Sequence, residues 1–211
     1  MNNIGSRLLQ KAWNVSRGVL QSYGPPVLKR RLWNKEFDGG RWSCLVSTEG
    51  DCVYTWIEKY AKKGRILDLG CGSGNTANEL DGSSYEEYLG LDISDVATRM
   101  AAKRSEDCGR GSKNRFVCAD MESFTPDTDF DVILLRESIY YVPQRKVVSM
   151  LHRYSKFLKR DGVFVVRFWY EAKPLLAMIK ENFQIVESYF SADSPTASPN
   201  YEAVLIFRPK A

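Results

Sequence analysis
The chain has 211 residues, 44% hydrophobic and 27% charged, and 30 Lys and Arg against 26 Asp and Glu give it a net charge of +4. That length suits one well-buried domain and is too short for two full ones plus a linker. The basic excess is mild, whereas a nucleic-acid binder is expected to concentrate its charge on one face. No apolar run approaches the ~20 residues needed to cross a bilayer, and the N-terminus lacks the apolar core of a secretory signal, so a soluble cytoplasmic protein is expected. The five cysteines, Cys44, Cys52, Cys71, Cys108 and Cys118, are odd in number with no C-x-x-C pair, which favours neither a disulfide framework nor a metal site.

Residues 1–40 hold seven Lys or Arg and only Glu36 and Asp38 as acids, and Ile4, Leu8, Leu9, Ala12 and Trp13 share one helical face. Such a segment can be a membrane-surface helix, a targeting peptide, or a first helix folded onto the core; the third is the expectation. Gly24-Pro25-Pro26 ends it, because proline cannot continue a helix. The stretch Arg30 to Trp42 is dense in aromatic and charged side chains. Trp33, Phe37 and Trp42 offer flat surfaces for a ligand and Arg41 a forked donor for a carboxylate, although ordinary aromatic packing explains the pattern equally well. Residues 1–50 are therefore set apart as an N-terminal cap segment, and 51–211 as the main domain. Asp51 to Lys62 reads as a helix with Val53, Trp56, Ile57 and Tyr60 on one side.

The chain is organised around Arg65 to Asn75, a short buried strand breaking into glycines at Gly70, Gly72 and Gly74 and then a helix. The third glycine falls one place too early for a dinucleotide fingerprint, where Asn75 stands, and the loop has no lysine for a P-loop. From here strands and helices alternate, which predicts a parallel sheet covered on both faces. Strands are expected at Ile66–Leu69, Tyr88–Asp92, Arg115–Cys118, Asp131–Leu135, Val163–Arg167, Phe183–Tyr189 and Val204–Phe207. Helices are expected near Thr76–Leu80, at Asp95–Glu106 with Ser94 as its cap, at Gln144–Leu158 and at Pro174–Asn182. Ser191 to Asn200 reads as a loop.

Asp68-Leu-Gly-Cys-Gly-Ser-Gly-Asn75 resembles the first motif of the class I S-adenosylmethionine-dependent methyltransferases. The resemblance covers most of the chain from Asp51 to Lys210. It implies an α/β, Rossmann-like, doubly wound sheet of seven strands, mostly parallel with one antiparallel strand, and S-adenosyl-L-methionine as cofactor. It places Asp68, Gly70, Cys71, Gly72, Gly74 and Asn75 around the methionyl end, and Asp92 on the two ribose hydroxyls. Asp120 would face the adenine amine, with Ile93 and Met121 against the ring, and Arg136 completes the cofactor set. The family often has Lys-Pro-Gly-Gly before the fifth strand; here Arg160 and Asp161 replace the proline and the first glycine.

On the acceptor side, Glu137, just past the fourth strand, is the candidate base and Tyr140 the candidate orienting hydroxyl; Arg41, Trp42, Tyr141 and Arg167 are substrate candidates. The competing reading pairs Glu137 with Arg136 and lets the tyrosines pack. His152, the single histidine, lies within a helix away from the strand ends. The Glu137-Ser-Ile-Tyr-Tyr141 stretch is similar to one in small-molecule methyltransferases, including the N-methyltransferase of nodulation-factor sugars. The Asn/Asp-Pro-Pro-Tyr/Phe and Pro-Cys signatures of base methylation are missing, which disfavours nucleic acid. The expectation is methyl transfer to N or O of a small polar, sugar-like acceptor enclosed by the N-terminal segment, Arg167 to Tyr170 and the Ser191–Asn200 loop. The alternatives are an RNA or protein methyltransferase and a non-catalytic cofactor-binding regulator. Oligomeric state is not legible.

Overall fold
The computed structural model describes residues 16–43, 48, 50–168, 173–190 and 203–210. The proposed face Ile4 to Trp13, Cys44, Trp169, Tyr170 and the Ser191–Asn200 loop lie outside them. A helix, α1 (residues 16–23), stops at the expected Gly24-Pro25-Pro26 break. The same prolines start a second helix, α2 (Pro26–Asp38), because a proline in the first turn supplies a preset φ where no N–H partner is needed. The aromatic stretch from Arg30, expected as a ligand wall or a packing surface and not as a helix, is therefore helical as far as Asp38.

α3 (Val53–Ala61) leads into β1 (Arg65–Leu69), α4 (Asn75–Glu79), β2 (Glu87–Asp92), α5 (Asp95–Asp107), β3 (Asn114–Cys118) and β4 (Phe130–Arg136). A 3-10 turn at Ile139–Tyr141 precedes α6 (Gln144–Ser155), β5 (Leu158–Phe168), α7 (Lys173–Asn182), β6 (Phe183–Phe190) and β7 (Ala203–Pro209). The sheet runs β3-β2-β1-β4-β5-β7-β6, with β7 antiparallel to both neighbours. This is the expected seven-stranded arrangement with one antiparallel strand. Chain order runs outward from β1 in one direction and from β4 in the other, so the connections diverge at the carboxyl ends of β1 and β4 and open a crevice there.

Alternation along the strands divides the core. Leu67, Leu69, Ile133, Leu135, Phe164 and Val166 face α6 and α7, while Ile66, Val132, Leu134, Val163 and Val165 face α3 and α4. Ser94 caps α5 as expected, its Oγ accepting from Ala97 N–H at 3.1 Å. Gly90 on β2 is needed for contact: a Cβ there would lie 2.6 Å from the Phe116 ring and 2.9 Å from Cys71 Sγ.

The turn expected at Lys159–Gly162 is drawn into β5. Phe130 pairs with Leu158 but Val132 with Val163, so the intervening residues of β5 bulge out, and Lys159 Nζ donates to Asp131 Oδ2 at 2.7 Å. His152 is exposed on α6, its ring stacked 4.7 Å from Phe183, in keeping with the reading that kept it out of the site.

Candidate active site
The glycine bend is tied to β2 by Gly70 N–H and Cys71 N–H, which both donate to Leu91 O at 2.7 and 2.9 Å. Gly70 and Gly72 have φ of 92° and 53°, values that favour glycine. A Cβ on Gly70 would stand 2.5 Å from Ser138 Cβ, so the end of β4 and the bend close on each other. Gly74 serves packing: its Cβ would strike Ala101 of α5 at 2.7 Å, and it does not line the cavity.

Over this bend opens a cavity of about 700 Å³ at the carboxyl ends of β1, β2 and β4, within the size range of small-ligand sites. Of the six acids that line it, three lie along the glycine bend and the ends of β2 and β3. Asp68 is 1% exposed; Tyr88 OH donates to its Oδ2, while its Oδ1 has no hydrogen-bond partner among the described residues. Burial raises its carboxyl to about 7, against the downward pull of Tyr88 and Arg136. Asp92 is oriented by backbone donors, Gly72 N–H to Oδ2 at 3.0 Å and Ser94 N–H to Oδ1 at 2.8 Å, and burial raises it to about 6. Asp120 accepts from Glu122 N–H at 2.9 Å. Ile93, Met121, Asn75 and Cys71 also line the cavity. The side-chain oxygen of Asn75 accepts from Ser73 Oγ and Arg104 Nη1. Burial raises the Cys71 thiol well above its ordinary value, which makes it a packing group and not a nucleophile.

At the other end, β4 and β5 place Arg136 and Arg167 side by side, paired in register. Both guanidiniums hold Asp51: Arg136 donates to Oδ2 through Nε at 3.2 Å and Nη2 at 2.6 Å, and Arg167 Nε lies 3.5 Å from it. Arg167 Nη1 also donates to Glu137 Oε1 at 2.5 Å, and Tyr140 OH donates to Glu137 Oε2. Glu137 thus pairs with Arg167, not with Arg136. Burial outweighs that ion pair and raises its carboxyl to about 7. Its φ of 56° is a left-handed value that a glutamate adopts at a cost of order 1–3 kcal/mol.

The roof comes from α2 and the residues that follow it. Trp33, Phe37 and Trp42 line the cavity with Tyr141, whose ring meets Trp33 edge-on at 4.7 Å. Glu36, buried behind them, ties the roof together by accepting from Gln21 Nε2 and Trp42 Nε1, each at 3.0 Å, and by pairing with Arg17 at 3.2 Å. Arg41 pairs with Glu36 at 3.8 Å and does not line the cavity.

A family model described as a methyltransferase domain matches residues 66–162. The mRNA cap guanine-N(7) methyltransferase of Schizosaccharomyces pombe is 31% identical over 109 residues, covering 47% of this chain and 30% of that protein. A sterol 24-C-methyltransferase of Aspergillus fumigatus is 31% identical over 106 residues, 50% of this chain and 28% of that protein. The solved N-methyltransferase NodS from Bradyrhizobium japonicum, in complex with S-adenosyl-L-homocysteine, superposes with a TM-score of 0.62 at 16% identity, covering 77% of this chain and 90% of that one. Residues 66–162 thus match a methyltransferase domain, and the solved neighbours share its fold. The chain spans less than a third of the length of those two curated relatives.

Every site residue expected from the sequence lines the cavity except Gly74 and Arg41. Among the lining residues not expected from the sequence, three are charged. Asp51 bridges the two arginines. Lys29 of α2, 7% exposed, donates to Glu122 Oε1 and lies 3.9 Å from Asp120 Oδ2. Glu122 also takes Lys146 Nζ at 2.7 Å; burial would raise its carboxyl, but the two lysines hold it below its ordinary value. Asp120-Met-Glu122 carried a signal, two carboxylates two residues apart beyond a strand. Asp51 and Lys29 carried none, since each acts through a partner far along the chain. Among the described residues no cluster of metal-ligating side chains occurs, and no helix is long and apolar enough to cross a membrane.

Proposed function
We infer that this chain transfers a methyl group from S-adenosylmethionine to N or O of a small polar acceptor, with sugar-like molecules among the candidates. The observation that carries the reading is Glu137, a cavity-lining carboxylate raised to about 7, whose two oxygens are steered by Arg167 and Tyr140 at the end opposite the three cofactor-side acids. A base with that affinity is half ionised near neutrality, where it can take a proton and still be available as an anion.

The donor set fits the cofactor. Asp68 Oδ1 is a buried acceptor awaiting a donor, which an amino group satisfies. Asp92 keeps lone pairs on both oxygens for two hydroxyls, and Asp120, a lining residue whose Oδ1 takes Glu122 N–H, keeps acceptor capacity for an exocyclic amine. When bound, the cofactor supplies an electrophilic methyl on its sulfonium. The chain's own task is then to hold the acceptor in line, exclude water under the α1–α2 roof and receive a proton at a Glu137 oxygen. Residues 1–50 act as a cap on the domain from 51 onward in this reading.

The test is transfer of labelled methyl to a panel of hydroxyl and amine metabolites, repeated with Glu137→Gln. A 10²–10⁴-fold fall in turnover with unchanged cofactor affinity supports the assignment; unchanged turnover removes Glu137 from the mechanism. A second reading, an RNA acceptor, is favoured by the likeness to mRNA cap guanine-N(7) methyltransferases. It requires RNA binding that weakens steeply with salt. Binding of cofactor with no transfer to any acceptor would favour a regulatory protein.

A further inference from the structure
Beyond the main cavity lies a second of about 290 Å³, reached past the 3-10 turn. Tyr140 and Val142 line both, so the two spaces adjoin across these side chains. The second is walled by Tyr23 of α1, Ile139, Val147 of α6 and Leu175 of α7, with exposed Gln144 beside them. None of the cofactor-side acids, Asp68, Asp92 or Asp120, lines it. It adjoins the acceptor end specifically, because Tyr140, which lines both spaces, gives its hydroxyl to Glu137. A space with mainly carbon walls offers ordered water few of the two to four polar partners it needs. It offers a hydrocarbon chain burial.

We propose that this second cavity is a specificity subsite for an apolar arm of the acceptor. The acceptor is then amphipathic: a hydroxyl- or amine-bearing head sits at Glu137 beside Trp33, Trp42 and Tyr141, and an alkyl or similar arm passes Tyr140. The inference rests on the methyl-transfer reading and narrows its acceptor class from polar to amphipathic. Two features fix the direction. The aromatic cluster of Trp33, Phe37, Trp42 and Tyr141, packed at 4.7–6.4 Å ring spacings, walls the main cavity at the head end. Tyr23, which lines the cavity, is 59% exposed, and Leu20, three residues before it on α1, is 39% exposed, so a long arm can leave the cavity along an apolar lip.

The experiment is calorimetric titration of the S-adenosylhomocysteine-saturated protein with phenol and the series 4-methyl- to 4-butylphenol. Affinity should rise about fourfold per added methylene, the fold-change for a fully buried CH₂. In Gln144→Trp, which fills the cavity from an exposed position outside the catalytic machinery, the slope should flatten while S-adenosylhomocysteine affinity and melting temperature stay unchanged. Tyr23→Ala, at an exposed site, should lower the slope for the longest arms only. A flat series in the unaltered protein overturns the subsite, and so does a slope retained in Gln144→Trp, which would mark adsorption elsewhere. Failure of S-adenosylhomocysteine itself to bind overturns the methyl-transfer reading instead, so the two failures are distinguishable.

Discussion
Glu137 concentrates three costs in one residue: a left-handed backbone, a buried carboxylate and a tethered rotamer. Strain that persists against local preference points to use. Glu137→Gly should therefore be neutral or stabilising by up to ~1 kcal/mol in denaturant titration while abolishing turnover. With a hydroxyl acceptor at saturating cofactor, turnover should rise with pH through about 7 as Glu137 ionises, and Glu137→Gln should lose that limb. Stability should move the opposite way. Asp68, Asp92 and Glu137 all have folded-state values raised above their ordinary range, so the folded chain holds protons that the unfolded chain has released. Their contribution is complete below about pH 4 and is lost as pH rises to about 7, each unit of displacement being worth about 1.4 kcal/mol. The melting temperature of the cofactor-free protein should accordingly carry a component that falls between about pH 4 and pH 7, and Asp68→Asn should shrink it while weakening cofactor binding.

Among the elements, the strand ends were the legible part. Asp68, Asp92 and Asp120 follow short apolar runs, and the bend between Gly70 and Gly74 announces itself, because such signals are local in sequence. Helix α2 was not legible in the same way. Its aromatic residues suggested a ligand wall and obscured the Leu28-Leu32 and Trp33-Phe37 spacings, and Pro26 was read as a stop when it is also a start. Asp51 and Lys29 were invisible because their partners lie 85 residues away at Arg136 and 93 residues away at Glu122. Element-level predictions follow from the contacts. Ser94→Ala removes the α5 cap and the 2.7 Å bond to Asn34 of α2, and should cost about 1 kcal/mol, lowering the melting temperature by roughly 2–4 °C. Gly90→Ala forces a methyl between Phe116 and Cys71 and should cost ~1–3 kcal/mol in denaturant unfolding.

At the scale of the whole molecule, a sheet whose connections diverge beside β1 presents three carboxylates to one crevice, and a helical roof closes over it. The central claim is that this crevice holds the sulfonium nucleoside through those carboxylates. Titration calorimetry with S-adenosylhomocysteine, on the unaltered protein and on Asp92→Ala, tests it most directly. The expected result is saturable heat at one site and a loss of at least about tenfold in affinity for the variant, since charge-assisted hydrogen bonds are worth about 1.5–3 kcal/mol each. No heat with the unaltered protein, or equal affinity in a folded Asp92→Ala, would contradict it.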